Sequence, residues 1–159
     1  MSSRGWTLVA FVLALAALHF LARVGLGLGR SAPDLLAIAV LLVGRRMNGA
    51  SAMLMGTLLG LLEDATGIHN LGARAIGLGA VGYAAARSRR NLTGEGFGFT
   101  PLFLFVGTWI SLVLTWAIRR PVSSPPADLL LALPIDAAYA AIVGAFAARL
   151  LPRRGGGEL

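Results

Sequence analysis

Six apolar runs punctuated by arginines leave this chain few ways to fold in water. They lie near residues 6–22, 34–47, 49–64, 70–87, 97–118 and 128–151 of a 159-residue sequence. A helix needs about 20 apolar residues to cross a hydrocarbon core of about 30 Å. The first, fifth and sixth runs meet that length. The apolar stretches inside the second (Asp34 to Gly44) and third (Gly49 to Leu62) are 11 and 14 residues long, short enough to be buried or re-entrant unless polar ends extend them.

Composition agrees. The chain is 57% hydrophobic and 13% charged, with a mean hydropathy of +0.77, against about 25% charged in soluble domains. The expectation is an all-α, polytopic membrane helix bundle of six transmembrane helices, forming one integral membrane domain with no room for a soluble catalytic one. The net charge of +7 comes from fourteen arginines and no lysine, spread in ones and twos between apolar runs. That is a topology signal rather than a nucleic-acid surface. The absence of cysteine removes disulfides, thiol nucleophiles and thiolate metal sites. Arg4 and the run after it resemble a signal peptide, but about 17 apolar residues exceed the usual 7 to 15 of such a core, so an uncleaved first span is expected.

With six crossings and an inner N-terminus, the inner segments carry Arg4, Arg45, Arg46, Arg87, Arg89, Arg90, Arg149, Arg153 and Arg154. The outer ones carry Arg23, Arg30, Arg74, Arg119 and Arg120. Nine against five places both termini in the cytoplasm. Pro33 and Asp34 supply a helix start, and Pro121 to Pro126 a stiff outer linker. The sequon Asn91-Leu92-Thr93 then falls on the inner side, where it is fortuitous.

In the third run Gly49, Ala52, Gly56 and Gly60 recur at three, four and four, one helix face of small residues. The fourth answers with Gly72, Ala75, Gly79 and Gly82 at three, four and three. In lipid such faces drive association by close backbone approach, here with each other or with a partner, although glycine-rich helices also produce the spacing by chance. Glu63 and Asp64 follow on or beside the first face, at a helix C-terminus whose dipole disfavours them. Arg74 is the evident countercharge, and His69 can donate to either acid. One reading is a polar or ligand site near the outer surface. The other is an interfacial turn, with Asp64 capping the Ala65-Thr66-Gly67 corner.

Asp136, just after Pro134 in the last run, needs a reason at such depth: one reading is a structural pair with Arg119 or Arg120 or an interfacial cap, the other a proton or ligand role. His19 reads as a hydrogen-bonded packing residue. Glu63, Asp64 and His69 do not by themselves make a metal site. Gly49-Ala50-Ser51 lacks the second glycine of an intramembrane serine protease, and the topology separates Ser51 from His69. No catalytic, cofactor-binding or metal-binding residues are therefore expected.

Four features resemble the rod shape-determining MreD family of bacteria. They are Pro33-Asp34-Leu35-Leu36 ending in Arg45-Arg46; the third run through Gly56 to Gly60-Leu61-Leu62-Glu63-Asp64; Leu71-Gly72 and Gly82-Tyr83 beyond it; and Leu133-Pro134 opening the last helix. The likeness spans roughly residues 33 to 150. It departs from the family at Asn70, where proline is frequent, at Asp136, and at the paired acid Glu63.

The resemblance implies a non-enzymatic scaffold in the inner membrane. It would bind MreC and, through it, support MreB, RodA and the transpeptidase partner of RodA in side-wall peptidoglycan synthesis. The family is similar in plan to the S components of energy-coupling-factor transporters. That gives a second reading, a small-molecule binder whose outward pocket Glu63, Asp64, His69 and Arg74 would line.

Overall fold

The computed structural model of the chain describes residues 3–27, 32–66, 72–91, 99–119 and 127–150. Among them there are six α-helices and no strand: α1 (Ser3–Phe20), α2 (Leu35–Gly44), α3 (Gly49–Ala65), α4 (Ala73–Asn91), α5 (Phe99–Arg119) and α6 (Ala127–Leu150). One π-helical turn, Leu21–Gly25, prolongs α1. Three stretches are long and apolar enough to cross a membrane, namely Gly5–Gly25, Thr100–Ile118 and Ala132–Arg149.

The short second run becomes the centre of the bundle. Every residue of α2 is buried, and α2 touches each of the other five α-helices. A helix that is apolar all round has no face to give to a polar solvent, so enclosure is the arrangement its sequence demands. Its ends are fixed locally. The Asp34 carboxylate accepts the Ala37 N–H at 3.0 Å, and after Gly44 the chain turns through an Arg46 N–H to Val43 carbonyl bond of 2.8 Å. Asn48 then starts α3 by accepting the Ser51 N–H at 2.8 Å. Each such cap contributes about 1 kcal/mol.

The small-residue faces of α3 and α4 meet each other. A Cβ on Gly56 would collide with the Leu78 carbonyl, and one on Gly82 with the Ala52 carbonyl. On Gly60 it would stand 2.6 Å from both the Ala75 nitrogen and the Arg74 carbonyl oxygen, and on Gly79 2.5 Å from Thr57 Oγ1. A Cβ on Gly49 would come within 3.0 Å of the Tyr83 ring. Gly72 does not belong to this contact: a Cβ there would meet nothing within 4 Å, and its φ of +97° shows that glycine serves the turn into α4 instead.

Large apolar side chains are exposed along the long helices, with Arg87 on α4 and Asp136 and Arg149 on α6 among the exposed charges. Trp6, Leu13, Leu54, Leu58, Trp109 and Phe146 are all exposed.

Adding a methyl at Gly56 or Gly60 has no room to be absorbed, because backbone rather than a flexible side chain stands opposite. Gly56→Ala and Gly60→Ala are each expected to cost about 1–3 kcal/mol and lower the thermal midpoint of the detergent-solubilised protein. Gly5→Ala, facing open space, is the control. Equal melting of all three proteins would refute the close approach.

Candidate functional site

Arg74, in the first turn of α4, is the centre of a charged cluster at one end of the bundle. Its side chain is 4% exposed. The Nε–H donates to Glu63 Oε2 at 2.7 Å, Nη2 pairs with Asp34 Oδ2, and Nη1 donates to Ser111 Oγ at 3.3 Å. One guanidinium thus joins α2, α3, α4 and α5. The fork geometry of arginine suits this, since its donors point at several acceptors in one plane.

Glu63 is shared. Its second oxygen, Oε1, takes an ion pair from Arg23 in the π-helical turn. Arg23 Nη1 is also 3.3 Å from His19 Nε2. Arginine can only donate, so Nε2 is the accepting nitrogen and the ring proton sits on Nδ1. Among the described residues that Nδ1, and Thr108 Oγ1 on α5, are the buried side-chain polar atoms without a hydrogen-bond partner.

Asp64 does different work. Its Oδ2 accepts the backbone N–H groups of Gly72 at 3.0 Å, Arg74 at 3.0 Å and Ala75 at 3.1 Å. No acid stands in the first turn of α4 itself. The neighbouring helix supplies it, which satisfies orphan donors and places a negative charge against the positive end of the α4 dipole. Thr66 closes the end of α3 by its own hydroxyl, donating to the Glu63 carbonyl at 2.7 Å.

Of the residues picked out in the sequence, the structure brings Glu63, Asp64 and Arg74 together. Asp64 caps α4, and the part of the Ala65-Thr66-Gly67 corner beyond Thr66 lies outside the described residues. His69 lies outside the described residues, as do Asn70 and Arg120. Asp136 is exposed on α6, and among the described residues it has no hydrogen bond or ion pair to the cluster. Ser51 sits in the first turn of α3, at the opposite end of that helix from Glu63. Among the described residues, no three His, Cys, Asp or Glu side chains are grouped to hold a metal ion.

Asp34, Arg23, His19 and Ser111 were not expected in the site. Asp34 reads in the sequence as a helix start, and it is one, yet its other oxygen carries the pair to Arg74. The alternation of the helices held the signal. The end of the first run, the start of the second, the end of the third and the start of the fourth all fall at one level, so their charged residues meet there. Chemically the cluster is closed: three carboxylates face two guanidiniums and one helix N-terminus, and each of these is engaged within the chain. The chain matches no protein-family model, no curated protein and no solved structure.

Removing Arg74 alone leaves Asp34 without its countercharge, while Glu63 keeps Arg23. Arg74→Met is expected to cost about 3–5 kcal/mol, and adding Asp34→Asn to recover much of it, because a buried pair is far worse broken than absent. Chemical denaturation of the purified variants measures both; a double variant no more stable than the single one would contradict the pairing. Asp64→Ala is expected to lose about 1–3 kcal/mol and Asp64→Asn less, since the amide keeps an accepting oxygen.

Proposed function

We propose that this chain is a six-span, non-enzymatic scaffold subunit of the bacterial cell-elongation complex, of the MreD type. It sits in the cytoplasmic membrane with both termini inside. There it binds MreC, and through MreC supports MreB, RodA and the RodA transpeptidase partner during side-wall peptidoglycan synthesis.

The observation that carries this reading is the division of labour between the inside and the outside of the bundle. Glu63, Asp64, Arg74 and Asp34 are engaged with one another or with backbone at one end, whereas large apolar side chains are exposed along the helices. That is what a protein needs if its business is to dock other helices. On α3, Met53, Leu54, Leu58, Leu61 and Leu62 are exposed although the helix also carries Glu63 and Asp64. An exposed leucine-rich face over that length favours lipid as the solvent for α3, and so supports more crossings than the three apolar stretches alone. The end of α1, the start of α2, the end of α3 and the start of α4 meet at the cluster, the order that alternating crossings of these four helices would give.

The orientation rests on the arginine count, nine inner against five outer, which favours both termini inside.

Affinity purification from the native membrane followed by mass spectrometry tests the proposal. A single-span, coiled-coil partner together with a glycosyltransferase and a transpeptidase is the expected outcome. Recovery of an ATPase module and a small molecule would instead make the chain a transporter subunit, and the scaffold reading would fall. Reporter fusions at both termini are expected to report the cytoplasm.

A further inference from the structure

α6 has two unlike faces. Ala137, Ala140, Ala141, Gly144 and Ala147 are buried on the side where α5 and α2 pack. There a Cβ on Gly144 would stand 2.7 Å from Leu104 and 3.1 Å from Ile38. The opposite side carries Ile135, Tyr139, Ile142 and Phe146, all exposed and recurring at four, three and four. That is the a/d spacing of a helix seam, and Asp136 falls on its e flank. From this arrangement we infer that the outer face of α6 docks a transmembrane helix of another protein, one that brings an arginine or lysine to Asp136. The inference rests on the bilayer and helix-docking reading given above, and not on which complex the chain serves.

Asp136 separates this face from one that only meets lipid. Among the described residues it is the one exposed acidic side chain. It is the fifth residue of Ala132–Arg149, a stretch long and apolar enough to cross a membrane, and so lies about 6 Å inside its start. A carboxylate on a single methylene cannot reach back along the helix to water as a long basic side chain does. An ionisable group in such a stretch calls for a countercharge. Among the described residues, the charged group that acts on Asp136 is Asp34, a second carboxylate, which repels it.

Charge also chooses the occupant. Copies of this chain share one orientation in the membrane, so a second α6 would lie parallel and present Leu131 and Ala138 across from Asp136. Neither is basic, and both carboxylates would stay unpaired. The amine of a lipid headgroup would satisfy the acid but not the seam of large apolar side chains below it. A foreign helix with its own apolar seam and a flanking cation meets both, since flanking charges beside such a seam set partner choice.

The test places the photoreactive residue p-benzoylphenylalanine at Ile142 of the full-length protein in its native membrane and identifies the captured peptide by mass spectrometry. The expected capture is a transmembrane segment of another protein, with an arginine or lysine about two turns from the cross-linked residue, the separation of Asp136 from Ile142. D136N should lower the yield about threefold to tenfold, the scale of interhelical polar contacts in lipid. D136E should keep most of it. D136K should abolish it, and changing the partner's basic residue to aspartate should then restore it.

Cross-links to lipid alone, or to a second copy of the chain, overturn the proposal. So does a captured helix without a basic residue at that place, an unchanged yield in D136N, or equal capture of the same segment from Leu58 on α3. A loss in R119Q/R120Q equal to that in D136N would assign the countercharge to this chain and likewise overturn it. Should D136K fail to insert, the D136N and D136E pair decides. Recovery of the elongation proteins with no effect of D136N would leave the scaffold reading standing and remove this one. Capture of a basic transmembrane helix from a protein outside that complex, with the charge swap restoring it, would do the reverse.

Discussion

The grip of Arg74 on Asp34 and Glu63 sets the level at which four helices meet. Apolar helices in lipid gain little from one vertical offset over another, because the hydrophobic effect that fixes register in water is absent there. A buried guanidinium is different. It tolerates only the arrangement that delivers its carboxylates, so the start of α2, the end of α3, the start of α4 and Ser111 on α5 are held at one height. Such a cluster adds little net stability over a well-packed apolar core, but it penalises every misregistered alternative. Its contribution is to specificity of assembly more than to free energy.

Close packing of α3 on α4 works through the same residues. Gly60 lies one turn before Asp64, and opposite it stand the Ala75 backbone and the Arg74 carbonyl. That absence of a side chain is what lets the Asp64 carboxylate come within 3.0 to 3.1 Å of three N–H groups at the start of α4. An acid at the C-terminus of its own helix is unfavourable, and the approach of another helix N-terminus reverses the sign. Glycine face and acidic pair, which look like two features of the sequence, are one device. Gly72, with its positive φ, completes it by turning the chain so that its own N–H also reaches Asp64.

Much of this was legible in the sequence, and what was not has a physical cause. Apolar runs announced the helices, because the run lengths and the arginines between them are local properties. The three- and four-residue spacing of glycines announced which faces of α3 and α4 approach closely. Glu63, Asp64 and Arg74 could be grouped because only one turn of chain separates their helices. The pairs Arg74 to Asp34 and Arg23 to Glu63 join residues 40 positions apart, and helical spacing says nothing at that range. Only the alternating direction of the helices, carried one step further, puts them at a common level. The role of α2 was half visible: its apolar length excluded a surface helix, but not whether it would be a short span or an enclosed core.

The two ends of the bundle therefore differ in kind, and the difference follows from where the acids fall. Asp34, Glu63 and Asp64 are three of the seven acidic residues in the chain, and all three are at the end where Arg23 and Arg74 lie. Opposite charges there are consumed in pairs, leaving a closed, self-satisfied level that anchors the helices. At the other end Arg46 and Arg87 line a cleft to which, among the described residues, no carboxylate contributes, and Arg45 rests over the Phe103 ring at 5.0 Å. For a helix bundle, gathering the acids at one level fixes the register of four helices there, and the described lining of the opposite end is left to arginine and to uncharged residues.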